Sequence, residues 1–460
     1  MFGENDGKYI FQPTFPNISG ALDYGDNPGD SSGSIRALYY TLTVNHGSDS
    51  QFSCQNRVTM VRCFEEGKRV NVLNIKPRLL LGPGPSPVPF TVRRAMSEPV
   101  IGHMDPQFFA IVDEVQSMLR TVFGTDNRLT LPVSGTGSAG METAIVNFVE
   151  PGDTVIVVVA GVFGGRIAEA VEKIGAHAVR MEVPWGQSAS LDQLKSVLRA
   201  HSEVRLVAVV MAETSTGVLQ PLTGWADEVH RVGALLMVDA VTSLGGMPVN
   251  VDTQEFDVVF SGTQKCLSAP PGLSPFTVSE RALERLDQRD TPVPSWYFDI
   301  AAFRHYWGQN RVYHHTAPIS MIYALDEALT LIVEEGIDDV FTRHRRVAES
   351  LWAGLSAMGL SLMVPESHRL PTVTTVRIPD GVDDKAVRDR LLHEWHIEIA
   401  GGLGPWAGKI WRIGVMGQGA QPQNMLQLLE ALRSVLHAQG HDTPSGLQAF
   451  ENKYEKRGRH

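Results

Sequence analysis

The sequence DVVFSGTQKCLSAPPGLSP, Asp257 to Pro275, sets the short apolar run Val258 to Phe260 ahead of Ser261-Gly262-Thr263, then Gln264-Lys265, then a loop dense in proline and glycine. A run of that length and composition reads as a strand covered on both faces. Most lysines are solvated surface cations. One that follows a buried strand and small residues, with a turn behind it, is held where desolvation disfavours the ammonium form. The neutral amine that results is what Schiff-base chemistry needs.

Outward from this stretch the same kind of apolar run recurs at Val155 to Val159, Leu206 to Met211 and Leu235 to Val238. Helical periodicities separate the runs, at Gly165 to Ile174, Leu191 to Arg199 and Trp225 to Val232. Two more helices precede them, over Met104 to Phe123 and Ser138 to Phe148, the second stopped by the turn signal Pro151-Gly152-Asp153. This alternation predicts an α/β fold with a mainly parallel sheet and right-handed crossovers. After Pro318 the pattern changes. Long helices are expected over Ser320 to Glu335 and Phe341 to Met358. They are followed by a strand (Val373 to Ile378), a helix (Lys385 to Trp395), two strands (Ile397 to Ala400 and Ile410 to Val415) and a helix (Asn424 to His437). The expected organisation is an atypical N-terminal extension over 1–77, a large domain over 78–335, a smaller C-terminal α/β domain over 336–440 and a polar tail over 441–460, frayed from Glu451. The extension is rich in Asn, Asp, Ser and Gly, and Gly25 to Ser34 has little to bury, so poor order is expected there, with strand-like pieces such as Ala37 to Val44.

The bulk properties exclude several classes. At 460 residues the chain exceeds what one core normally holds. A formal net charge of −11 argues against nucleic acid or an anionic membrane as the main partner. Three cysteines, Cys54, Cys63 and Cys266, are not a disulfide framework, which points to a reducing compartment. No apolar run approaches the roughly 20 residues of a membrane span, and MFGENDGKYIFQ has no secretory character. The expectation is a cytoplasmic protein.

Four further features bear on Lys265. Asp239 ends the run LLMVD, at the carboxyl end of a strand, where open α/β sheets bind ligands. A buried acid there either caps the next turn or keeps a pyridine nitrogen protonated, and a protonated pyridine is the electron sink of pyridoxal 5′-phosphate (PLP). Ser134 to Ser138, SGTGS, opens a helix whose N-terminus favours an anion such as phosphate, although such a motif is often only a turn. Arg412 sits inside the strand KIWRIGVMG, either as half of an ion pair or as a bidentate grip on a carboxylate. Phe163, in GVFGG, is either a core aromatic or a ring-stacking one. The adjacent His314-His315 do not suggest a metal site, because neighbouring side chains point apart in regular structure and no spaced ligand set accompanies them.

Taken together, LLLGPGPSPVP (Leu79 to Pro89), VEPGDTV, ETSTGVLQPL (Glu213 to Leu222), VDAVTSLGG, SGTQKCLSAPPG, YHHTAP, LPTVTTV and GGLGPWAGKIWRIG resemble, in order, the class-V PLP-dependent aminotransferases of fold type I, nearest to their alanine–glyoxylate (serine–pyruvate) branch. The resemblance spans about residues 79–440 and leaves the extension uncovered. It implies that Lys265 carries PLP as a Schiff base and moves the proton of the 1,3-shift, and that Asp239 pairs with the pyridine nitrogen. Phe163 then takes the place of the ring-stacking aromatic, Thr136, Gly137, Ser138 and Gln264 lie at the phosphate, Thr214 lies near the ring hydroxyl, and Val241 belongs to the cofactor-binding set. Arg412 holds the substrate α-carboxylate. Tyr313 and Thr316 reach the phosphate of a neighbouring subunit, which implies a homodimer with shared sites. No metal is implied. The implied activity is ping-pong transamination, via pyridoxamine phosphate, between alanine or serine and glyoxylate or pyruvate. Serine–glyoxylate, 2-aminoethylphosphonate–pyruvate and ureidoglycine–glyoxylate transamination are the alternatives. Ser138, where relatives often have His, and Met211-Ala212 depart from the pattern and bear on substrate preference. A PLP lyase needing a mobile catalytic cysteine fits poorly, since Cys266 adjoins the lysine and the other two lie in the extension.

Overall fold

The apolar runs assemble into one seven-stranded sheet in a computed structural model that describes residues 35–41, 59–65, 75–308 and 310–456. The strand order is Leu129–Ser134, Leu273–Val278, Val258–Phe260, Leu235–Asp239, Val204–Val210, Thr154–Val159, His177–Glu182. The five strands from Val258–Phe260 to His177–Glu182 pair in parallel. Leu273–Val278 is antiparallel to both its neighbours, so Leu129–Ser134 runs with the parallel set. The mainly parallel sheet expected from the alternation is therefore present. Helices such as Gly137–Phe148, Val162–Lys173 and Trp225–Arg231 pack against it through Ile145, Ile167, Val171 and Val229, all buried.

Three strands were not legible as apolar runs. Leu273–Val278 begins inside the proline-rich stretch that reads as loop, and its Pro275 lies directly opposite Pro132 of Leu129–Ser134. Two prolines can face each other there because a non-hydrogen-bonded pair asks for no N–H from either. The Pro275 carbonyl instead accepts from Ser261 N on the other side, at 2.8 Å. His177–Glu182 is the exposed edge and carries charge, as edges do.

A second hydrophobic cluster forms around the antiparallel order Val373–Arg377, Ile410–Gly414, Ala400–Gly401, with helices Ile337–Ala357, Asp384–Glu394 and Pro422–Ala438. The single strand expected over Ile397 to Ala400 is two pieces, Ile397–Glu398 pairing with Leu79–Leu80 and Ala400–Gly401 pairing with Ile410–Gly414. The cluster takes Leu81 from ahead of the large sheet and Phe450 from beyond residue 440. The tail expected to fray from Glu451 is helical over Leu447–Lys456. Its reason is an apolar stripe, Leu447, Phe450 and Tyr454, packed on this cluster. Burying Phe450 contributes roughly 2–3 kcal/mol.

In the N-terminal extension, Ile35–Thr41 and Thr59–Glu65 pair antiparallel, the first overlapping the strand-like piece expected at Ala37 to Val44. Apart from these strands and residues 75–77, the reading of 1–77 falls outside the described residues.

Candidate active site

The carboxyl ends of the parallel strands converge on one cleft, as the crossover rule requires. Five chain segments supply its walls. Thr136, Gly137 and Ser138 follow Leu129–Ser134, and Phe163 follows Thr154–Val159. Thr214 follows Val204–Val210, Asp239 and Val241 end the next strand, and Gln264 and Lys265 follow Val258–Phe260. Nine of the twelve residues singled out from sequence thus meet in one place.

Lys265 is held there by a segment 180 residues away in sequence. Its amine donates to the Pro83 carbonyl. Ser86 Oγ donates to the Lys265 carbonyl at 2.5 Å, and Ser86 N donates to the Gln264 carbonyl at 2.8 Å. Burial lowers the Lys265 pKa to about 8, with Arg412 adding to the effect and Asp239 opposing it. About one amine in ten is then neutral at pH 7. Gly84 makes room for the lysine: a Cβ there would lie 2.5 Å from both Lys265 Cδ and Nζ, and its φ of +107° suits glycine. Gly84→Ala is expected to lower the melting temperature, because alanine is strained at this φ, and to lower kcat by about 100-fold through the displaced amine. Steady-state kinetics beside a melting curve checks both halves.

Asp239 is 6% exposed. Its Oδ1 accepts from Val241 N at 2.8 Å. Burial pushes its pKa up to about 7, the Val241 bond opposes that, and the nearby Glu213 charge adds to it. A cation placed against Asp239 would restore its charge, so the cleft asks for a positive partner at this point.

Across the cleft, Thr136 precedes the helix Gly137–Phe148 without capping it through its side chain. The first turn therefore keeps unsatisfied N–H groups for an anion. Gly137 is close-packed, with a Cβ there meeting Val241 Cγ2 at 3.1 Å. Gln264 Oε1 is buried with no hydrogen-bond partner, an amide waiting for a polar group in the cleft. A group with a carbonyl for an amine, a basic ring nitrogen and a phosphate satisfies all of these at once, and PLP has that composition.

Arg412 is 7% exposed and lies on Ile410–Gly414. Its Nε donates to the Gly401 carbonyl at 2.8 Å and its Nη1 to the Thr214 carbonyl at 3.3 Å. It has no bidentate carboxylate partner among the described contacts, and its charge acts on Lys265 and Glu213. Tyr313, 57% exposed, and Thr316 do not line this chain's cleft. Between them, His314 and His315 do not point apart: Nδ1 of each lies 2.9 Å from the other, because Val312 to Pro318 is irregular backbone rather than helix or strand.

Sequence reasoning missed Met141, Arg166, Val210 and Phe260, which also line the cleft. The Arg166 guanidinium lies over the Phe163 ring, 5.0 Å from its centroid. Its i+3 spacing from Phe163 on one helix was the available signal.

The class-V aminotransferase family profile matches residues 90–405. An alanine–glyoxylate aminotransferase of Oryctolagus cuniculus is 43% identical over 78% of this chain and 92% of its own length. The (S)-ureidoglycine–glyoxylate transaminase of Bacillus subtilis (strain 168) is 39% identical over 83% of this chain and 96% of its own. Among solved structures, the alanine–glyoxylate aminotransferase of Nostoc sp. superposes with a TM-score of 0.79 at 49% identity, covering 80% of this chain and 98% of that one. The chain belongs to the class-V aminotransferases. It is a PLP-dependent enzyme of fold type I.

Proposed function

We propose that the enzyme moves an amino group from a small amino acid, alanine or serine, to glyoxylate or pyruvate. The observation that carries this reading is one cleft in which a partly neutral lysine amine meets a buried carboxylate, with the Arg412 guanidinium outside the lining but hydrogen-bonded to the carbonyl of Thr214 in its wall. The relatives named for glyoxylate support the acceptor. PLP, when bound, supplies the electron sink that lets the Cα–H bond break. Asp239 holds the proton on the ring nitrogen. Lys265 would hold the cofactor through its amine and, freed from it, would be the base that moves the Cα proton. Arg412 orients the α-carboxylate, so the Cα–H bond is presented to Lys265. Thr136, Gly137, Ser138 and Gln264 would hold the phosphate, Thr214 would meet the ring hydroxyl, Phe163 would stack on the ring, and Val241 would complete the cofactor-binding set. Tyr313 and Thr316, absent from this chain's own cleft, serve the phosphate of a second subunit in a homodimer. Sparse cysteines, with Cys266 buried and free, suit the reducing cytoplasm. No helix among the described residues is long and apolar enough to cross a membrane.

A second reading, ureidoglycine as donor, is favoured by the Bacillus relative and its solved structure. A panel of alanine, serine, ureidoglycine and 2-aminoethylphosphonate against glyoxylate and pyruvate separates the two. Highest kcat/KM with alanine or serine and glyoxylate is the expected result, and turnover confined to ureidoglycine would replace it. In the same panel, Arg412→Lys is expected to lower kcat/KM by about 10- to 100-fold for every α-amino carboxylate, because an ammonium cannot grip a carboxylate with two parallel bonds.

A further inference from the structure

Glu213 is a buried carboxylate, 1% exposed, to which the mechanism assigns nothing. It stands one residue before Thr214, in the short strand Ala212–Glu213. Its Oε1 accepts from Ser215 N at 3.1 Å and from Ser215 Oγ at 2.5 Å. The same oxygen accepts from Phe163 N at 3.5 Å, and Oε2 accepts from Gly164 N at 3.4 Å. Ser215 Oγ in turn accepts from Val162 N at 3.0 Å. These donors, Val162, Phe163 and Gly164, are the first three N–H groups of the helix Val162–Lys173.

That helix cannot cap itself. Its N-cap residue is Gly161, which has no side chain. A Cβ at Gly161 would lie 2.4 Å from Ser215 Oγ and 2.6 Å from Glu213 Cδ, so the glycine is what admits the foreign cap. A carboxylate suits the position twice over. The helix N-terminus carries partial positive charge, and four donated hydrogen bonds oppose the cost of burying the group, which still raises its pKa. The helix so capped carries Phe163 at its second residue, and Phe163 lines the cleft. The Glu213-Thr214-Ser215 tripeptide thus contributes one residue to the cleft wall and fixes another from behind.

We propose that Glu213 is a positioning residue for the cofactor: with Ser215 it caps, from another part of the chain, the helix that carries Phe163, and thereby sets the plane of the aromatic ring on which the pyridine rests. The inference rests on the reading of Phe163 as the stacking residue.

The test is a double-mutant cycle read by PLP affinity, from spectral titration of the cofactor-free protein, with a melting curve for each variant. In Glu213→Gln the amide NH2 sets a donor against a donor at one of the two capping positions. It is expected to weaken PLP binding by about tenfold. In the Phe163→Ala background the same change is expected to weaken binding less than about twofold, because the ring it positions is gone. Should Glu213→Gln fail to fold, Ser215→Ala removes one capping oxygen; its expected loss of about threefold should vanish in the same background. Equal losses in both backgrounds, or no loss in either, would overturn the proposal. Phe163→Ala with unchanged PLP affinity would instead overturn the stacking reading on which it rests.

Discussion

Lys265→Ala is expected to lower kcat by about 10⁴-fold or more, the largest effect of any single substitution in the cleft. On the proposed mechanism the change removes two functions at once, the covalent link at rest and the base that moves the Cα proton. No other lysine lines the cleft to replace it. Because Lys265 is only partly buried and its amine meets a single carbonyl, that of Pro83, the variant should fold and still admit PLP. The depressed amine has a consequence of its own. PLP capture by the cofactor-free protein needs the neutral form, whose fraction rises with pH until the group is titrated. The capture rate should therefore climb with pH and level off above about 8, the Lys265 pKa. Stopped-flow absorbance after mixing with PLP measures it. A rate that is flat between pH 6 and 9 would argue that another amine is the acceptor.

Asp239→Asn is expected to lower kcat by about 10²- to 10³-fold with little change in KM. The substitution is nearly isosteric and can keep the bond from Val241 N. What it loses is the negative charge that, on the proposed mechanism, would hold a proton on the ring nitrogen and so maintain the electron sink. The same change should stabilise the cofactor-free protein. Asp239 is raised to about 7 mainly by burial, so between its unfolded pKa, about 4, and 7 the folded state holds a proton that the unfolded chain has released. Stability contributed by the protonated form is lost as pH rises through 7. Above that the buried charge is a full cost, which asparagine does not carry. The melting temperature of cofactor-free Asp239→Asn should exceed that of the wild type at pH 8 and match it at pH 4. A variant less stable at both values would mean that the carboxylate is structural.

The site was legible where its chemistry is local. Asp239 ends a buried strand, Lys265 follows another, and Thr136 to Ser138 open a helix, so position and residue type sit side by side in sequence. Arg412 was legible as an anomaly, a cation inside an apolar strand. What the sequence hid is non-local. Nothing near Gly84 says that its missing side chain leaves space for a lysine 181 positions on. Nothing near Gly161 says that Glu213 caps its helix. Leu273–Val278 was hidden because prolines read as loop unless the register is known. The helix Leu447–Lys456 carried a readable stripe, masked by its charged residues. Tyr313 and Thr316 are legible only through family resemblance, since neither lines the same chain's cleft.

The central claim is that PLP is bound covalently through Lys265. Borohydride reduction of the holoenzyme, which converts an imine to a stable secondary amine, followed by proteolysis and mass spectrometry of the peptides, tests it directly. A single modified peptide is expected, containing Lys265 and carrying the mass of reduced PLP. A label on any other lysine, or a fully active enzyme that takes up no label, would contradict it.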